Sequence, residues 1–332
     1  MKDVATLAGV GTKTVSRVIN GEPDVSAATI ERVRAAAAQL QYQPDMHAGN
    51  LRRSGGRTST LGLLVGSVAN PFSAAVHRAV EDAANARGVA VFASSLDDDP
   101  ARERSAVNAF LSRRVDGLIL TTIAPSQAYL GIEIARGTPA VFVDREPTGI
   151  TADSVITDNA HGVARAVSHL NSHGHRRIAF IGDSLEIFTA RERERGFLDE
   201  MARLGLPVLP GYVLDGAEDE QAARAFVERL LTMDEPPTAI VSGQNLITIG
   251  VISGLRRHQA ERHVALIGFD DIPMADMLEP AVSVIAQNPS QIGHVAAERV
   301  FARLDGEVQP AQTIVVPTTL IARGSGEIRC HD

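Results

Sequence analysis

The chain of 332 residues has a single cysteine, no apolar run approaching 18 residues, and none of the glycine loops that cradle nucleotide phosphates. Each absence excludes a class. Cys330 alone can build neither a disulfide framework nor a thiolate metal site, which suits a reducing compartment. Without a long apolar run there is no membrane-spanning helix, and the N-terminus passes directly into an amphipathic helix with no export signal, so a cytoplasmic location is expected. No Walker loop or G-x-G-x-x-G follows a strand pattern, and no Ser-His-Asp signature is present, so no enzyme activity, catalytic residue or cofactor is expected. His169, His173 and His175 cluster, and the first two share a helix face at i, i+4. They lack a glutamate at HExxH spacing and a cysteine partner, while Gly174 reads as a helix C′ residue; no metal site is expected.

What is present divides unevenly. The net charge of −8 hides a basic head: residues 1–58 hold eight Lys+Arg (Lys2, Lys13, Arg17, Arg32, Arg34, Arg52, Arg53, Arg57) against five acids (Asp3, Glu22, Asp24, Glu31, Asp45), which gives +3 and leaves −11 for the remainder. A small positive head on an acidic body suits contact with phosphate at one end only. Within the head, Asp3–Val10 is a short apolar-periodic helix closed by Gly9, and a second helix over Thr12–Asn20 is stopped by Asn20-Gly21-Glu22-Pro23. A third opens at the N-cap Ser26 and runs to about Leu40, before Tyr42 and Pro44. Two helices joined by so tight a turn cross steeply, the geometry that lays the second in a DNA major groove.

From Thr60 the pattern changes. Short apolar strands at 61–66, 89–93, 117–120, 140–143, 154–157, 177–181, 238–241 and 264–267 alternate with helices at 74–87, 101–113, 188–204, 219–232, 246–258 and 291–304, and final strands lie near 313–316 and 318–322. Such alternation indicates parallel sheets joined by right-handed crossovers, and the second half repeats the first. Ligands of open parallel sheets sit beyond the carboxyl ends of the strands. Polar landmarks stand there: Asn70-Pro71-Phe72, Asp144-Arg145, Gln244-Asn245, Asp270-Asp271 and, at a crossing, Gln287.

The motifs D-V-A-x-x-A-G-V (3–10), T-V-S-R-V-I-N-G (14–21), V-S-A-x-T (25–29) and Y-x-P (42–44) resemble the lac repressor family of bacterial transcription regulators, and the likeness extends over nearly the whole chain. The resemblance implies an α/β protein: a helix-turn-helix DNA-binding domain over 1–44, a hinge linker over 45–58, and a periplasmic-binding-protein-like core. That core would comprise subdomains 59–158 plus 289–316 and 159–288 plus 317–326, crossed near 158–161, 287–290 and 316–318. It implies that Thr12, Lys13 and Arg17 face base edges, while Thr14, Ser16 and Asn20 bond phosphates or cap the helix. Leu51 matches the leucine that wedges into the minor groove once the linker becomes helical on operator DNA. In the core it implies effector contacts from Phe72, Asp144, Arg193, Gln244, Asn245, Asp270 and Gln287: a ring face, an arginine, two carboxylates and amides, as a neutral polyol requires.

Departures accompany the match. Gly11 stands where a serine usually caps the reading helix, Asp45 and Gly49 replace the usual Asn and Arg of the hinge, and Pro289 replaces an aromatic found in some members. The expected function is a sequence-specific repressor, a homodimer on a palindromic operator, controlled by a small molecule of which a sugar is favoured on family frequency. Two alternatives stand beside it: a regulator with a purine or other metabolite as co-repressor, and a solute-binding protein with no regulatory role. The chain ends about ten residues after its last strand, without a heptad helix, which favours a dimer over a tetramer.

Overall fold

The computed structural model describes residues 1–19, 22–42, 57–217 and 219–330. The head is three helices, α1 (Lys2–Ala8), α2 (Thr12–Ile19) and α3 (Ala27–Gln39). Gly9 ends α1 with φ +64°, a conformation that glycine adopts without a Cβ penalty. Val4, Val15 and Val33, one from each helix, are fully buried and form the centre of a small core. Removing one of them costs about 1–3 kcal/mol, a large share of what so small a bundle can hold. Ser26 stands at the N-cap of α3, but its hydroxyl pairs with the Thr29 hydroxyl at 2.9 Å rather than with a backbone N–H. Asn20, Leu51 and the hinge residues 45–56 lie outside the described residues.

The body contains two six-stranded sheets of like design. Strands β1 (Thr60–Val65), β2 (Ala90–Ser95), β3 (Gly117–Leu120), β4 (Ala140–Val143) and β5 (Asp153–Thr157) join β11 (Thr313–Val316) in the order β11-β5-β4-β3-β1-β2. Strands β6 (Ile178–Ile181), β7 (Val213–Leu214), β8 (Ala239–Ser242), β9 (Ala265–Phe269) and β10 (Ser283–Ala286) join β12 (Thr319–Ile321) in the order β12-β10-β9-β8-β6-β7. Every pairing is parallel except β10 with β12, which is antiparallel because the chain re-enters the second sheet from the opposite end. The inner strands β3, β4 and β9 are apolar throughout because helices cover both faces. Three segments carry the chain from one sheet to the other: Asp158, Gln287–Asn288 and Pro317–Thr318.

Helices α4 (Pro71–Ala86), α5 (Pro100–Ser112), α6 (Gly131–Ala135), α7 (Asn159–Ser172), α8 (Phe188–Arg203), α9 (Glu220–Leu231), α10 (Asn245–Arg257) and α11 (Pro289–Leu304) complete the layers. Three helix pairs approach at glycine. A Cβ on Gly293 of α11 would lie 2.6 Å from the Val76 carbonyl of α4, one on Gly250 of α10 would lie 2.5 Å from the Glu220 carbonyl of α9, and Gly196 of α8 sits directly on the Ala160 backbone of α7.

Helix α11 spans the first lobe from end to end. Its N-cap, Asn288, follows the crossing residue Gln287, and at its far end the Leu304 carbonyl accepts a hydrogen bond from Arg57. Asp305, just beyond, pairs with Arg57 at 3.7 Å and Arg87 at 2.9 Å. Thr58, the first residue after Arg57, is tied to the sheet through Asp116 at 2.7 Å.

Candidate functional site

A cavity of about 590 Å³ lies between the two sheets, lined by residues that follow the carboxyl ends of their strands. The lobes contribute matching devices. Asp144 follows β4 and Asp270 follows β9, the same position in each sheet order, and their backbones take φ +70° and +69°. Each donates its N–H to the neighbouring strand, Asp144 to Val155 at 3.0 Å and Asp270 to Ile285 at 2.9 Å. Left-handed backbone at a non-glycine residue costs about 1 kcal/mol, and here it turns both carboxylates into the cavity.

Each carboxylate has a guanidinium nearby. Arg145 is buried, with Nε 3.7 Å from Asp144, Nη2 3.5 Å from Asp98 and Nη1 donating to the Thr122 carbonyl at 3.1 Å. Arg193, on α8, lies 3.9 Å from the Phe269 ring centroid. It donates to Asn159 Oδ1 at 2.7 Å and to the Gly243 carbonyl at 2.8 Å. Burial pulls the Arg193 guanidinium below its ordinary value, while Asp270, Asp144 and Asp183 oppose that change. Burial likewise raises the Asp270 carboxyl above its ordinary range, against the pull of Arg193 and of the Gln287 amide, which donates to Oδ1 at 2.7 Å. Beside the cavity, the buried atoms Gln287 Oε1 and Arg145 Nε lack a hydrogen-bond partner among the described residues.

Amides close the remaining side. Asn70 caps α4 by accepting from Phe72 N at 2.9 Å, and it exchanges two hydrogen bonds with Asn245 of the other lobe, at 3.2 and 2.8 Å. Gln244 caps α10, accepting from Leu246 N at 2.8 Å and donating to Asp183 at 3.3 Å. Phe72 is half-buried against the first lobe's core and lines the cavity. The loop carrying Thr121 and Ile123 is pinned from below. Buried Glu103 accepts from Ile123 N and Ala124 N at 2.7 Å each and from the Tyr129 hydroxyl at 2.7 Å. Burial, together with that carboxylate, pushes the Tyr129 phenol above its ordinary value.

The seven core residues singled out in the sequence thus come together around one cavity. Sequence reasoning missed Asp98, Asp183 and Glu186, which line it as well. Asp183 falls two residues after β6 and Asp98 three after β2, so inspecting polar residues behind every strand, not only those within family motifs, finds them. Asp183, raised by burial, accepts from its neighbour Ser184 N at 2.7 Å.

In the head, Thr12 and Lys13 are exposed at the start of α2, and Thr14, Ser16 and Arg17 are half-buried. Lys13 and Arg17 share a face at i, i+4 spacing. Arg17 is already engaged: Nη2 donates to the Pro23 carbonyl at 2.6 Å, and Glu22 and Asp24 lie at 3.6 and 3.9 Å. The histidines have structural partners. His169 bonds Glu327 at 2.8 Å, and His175, fully buried, bonds Thr238 at 3.0 Å and the Ile328 carbonyl at 2.8 Å. Among the described residues no group of three His, Cys, Asp or Glu side chains could hold a metal ion, and no helix is long and apolar enough to cross a membrane.

A helix-turn-helix head on a two-lobed body, with a polar cavity between parallel sheets, defines a class: a DNA-reading protein with a small-molecule receptor behind it. Comparison with known proteins is specific. Residues 1–45 match the model of bacterial regulatory proteins of the lacI family, and residues 167–326 match a periplasmic binding protein-like domain. The chain is similar to the ribose operon repressors of Escherichia coli (32% identical, 98% of this chain and 99% of the relative) and Haemophilus influenzae (30%, 98% of each). Another relative is the transcriptional repressor PurR of H. influenzae, 32% identical over 98% of each chain. Among solved structures it resembles the lac repressor dimer bound to operator and an anti-inducer, with TM-score 0.86 and 25% identity over 98% of each chain. A transcriptional regulator CelR–cellobiose complex gives TM-score 0.72 and 28% identity over the same shares. The chain belongs to the lacI family and is a DNA-binding transcriptional regulator.

Proposed function

We propose that this chain is a homodimeric repressor that carries its two reading helices onto the half-sites of a palindromic operator and releases or grips them according to a sugar bound in the core cavity. Thr12, Lys13 and Arg17 read base edges; Thr14, Ser16 and Asn20 set register on phosphates, and Leu51 wedges the central step. One head carries few charges, so two copies on one duplex are needed for firm binding. The domains run 1–44, 45–58, 59–158 with 289–316, and 159–288 with 317–326. We assign the chain no catalytic role and place its action in the cytoplasm; its relatives are repressors by name.

One observation carries the effector reading: twin left-handed aspartates, Asp144 and Asp270, each with an arginine nearby, converge on one cavity lined, among the described residues, by one aromatic side chain, Phe72. Paired acceptors and donors bind vicinal hydroxyls, and one ring face suits one face of a sugar, with Gln244, Asn245 and Gln287 completing the set. A purine, flat on both sides, finds one aromatic face here, which makes it the weaker candidate. The test is a thermal-shift screen of neutral sugars, sugar phosphates and nucleobases, followed by gel-shift titration with each hit. A neutral sugar is expected to raise the melting temperature and change duplex affinity. A nucleobase acting alone would overturn the sugar assignment, and indifference to every palindromic duplex at low salt would overturn the regulator assignment.

A further inference from the structure

We propose that Glu22-Pro23-Asp24, the segment behind the reading helix, holds Arg17 in place and thereby sets how strongly the head separates its operator from other DNA. The inference rests on the reading of Arg17 as a base-contacting side chain. Arg17 Nη2 donates to the Pro23 carbonyl at 2.6 Å, its Nε lies 3.6 Å from Glu22, and Nη2 lies 3.9 Å from Asp24. The holder is itself anchored. Glu22 N donates to the Arg17 carbonyl at 2.9 Å, Asp24 takes φ +67°, and Val25 packs on the head core. Both ends of the contact are therefore fixed to the same helix and core.

The two kinds of DNA contact feel this arrangement differently. A phosphate attracts a guanidinium by charge, and two carboxylates within 4 Å cancel that charge and repel the phosphate. A guanine edge offers two neutral acceptors to a planar fork. A guanidinium has five N–H groups, and the bond to Pro23 uses one while fixing the plane of the rest. The holder consequently weakens unspecific contacts more than the specific one, and discrimination is the difference between the two.

The test compares a duplex selected by the protein from a random pool with a scrambled duplex of equal length and base content, by fluorescence anisotropy over a series of salt concentrations. The variant is Glu22→Gln with Asp24→Asn; asparagine keeps the positive φ while removing the charge. Exposed pairs of this kind are worth a factor of about two to five each. Scrambled-duplex affinity is expected to rise about fivefold and to become steeper in salt, while the selected duplex changes less than about twofold. Glu31→Gln, which removes one exposed charge away from Arg17, leaves the ratio unchanged. In an Arg17→Ala background the double substitution no longer alters the ratio. Equal gains on both duplexes, the same shift from Glu31→Gln, or persistence without Arg17 overturns the holder. If Arg17→Ala alone leaves the selected duplex as favoured as before, base reading by Arg17 fails, and the holder with it. Circular dichroism melts report folding, and Glu22→Gln alone is expected to give part of the effect.

Discussion

Replacing Arg193 by alanine removes a charge from the best-buried part of the cavity, and the structure allows its cost to be estimated. Two hydrogen bonds disappear, to Asn159 and Gly243, leaving two acceptors unpaired in a site where Arg193 itself is only 6% exposed. Asp270, 7% exposed, loses the cation that opposes its desolvation. Lost charge-assisted bonds cost about 1.5–3 kcal/mol each, and stranding the partner of a buried charge costs about 3–5 kcal/mol; these overlap, so a net loss of about 3–5 kcal/mol is expected. At about 2–4 °C per kcal/mol for a domain of this size, the calorimetric transition falls by ~10 °C. The sign of the pH dependence follows. The folded Asp270 carboxyl is already raised, and without Arg193 it rises further, so its part of the penalty is absent at low pH, grows as pH rises from the parent's folded value to the new one and levels off above it, while the loss from the two hydrogen bonds persists at every pH. Asp270→Asn in the same chain therefore restores part of the loss. Effector response vanishes while the operator is still bound. A transition within 2 °C or so of the parent refutes the buried-charge argument, and a normal gel-shift response to effector refutes the pocket.

Lys13→Ala is expected to relax preference at one base pair by about 1–3 kcal/mol with effector affinity unchanged, as paired binding-site selection and calorimetry will report. His175 is buried and held below its ordinary value of 6.5, chiefly by desolvation, so it stabilises the fold above that pH and the melting temperature falls as pH drops below it; His175→Gln flattens this limb. At Asp153 burial raises the carboxyl, but Arg303, the Gln312 N–H and Arg299 outweigh it and hold it below 3.8; Asp153→Asn lowers the melting temperature at neutral pH and makes the acid limb below 3.8 shallower. Gly196→Ala forces α7 and α8 apart and costs about 1–3 kcal/mol, whereas Gly131→Ala, with open space around it, costs nothing in thermal melts.

The strands that could be read in the sequence are the ones buried on both sides, such as Gly117–Leu120 and Ala140–Val143, where composition alone marks them. Ser283–Ala286 and the two-residue Val213–Leu214 went unread, being too short or too mixed to show a period. Helix α4 begins at Pro71, three residues before the expected start, and its Asn-Pro signal at cap and first turn was there to be used. In the pocket, the residues adjoining recognisable motifs were legible. Asp98 and Asp183 adjoin no such motif and show only when the polar residues behind every strand end are inspected. The Arg17 contact with Pro23 was equally invisible, since no periodicity says where a long side chain comes to rest.

Helix α11 reaches from the cavity to Arg57. Its N-cap follows Gln287, which lines the cavity, and its last carbonyl receives Arg57, just before the first sheet. Sixteen residues make a rod of about 24 Å. Pivoting such a lever by about 5° around its inner end sweeps its tip by ~2 Å, more than a hydrogen bond survives. A small tilt at the cavity end of this helix is therefore amplified into a larger displacement at Arg57.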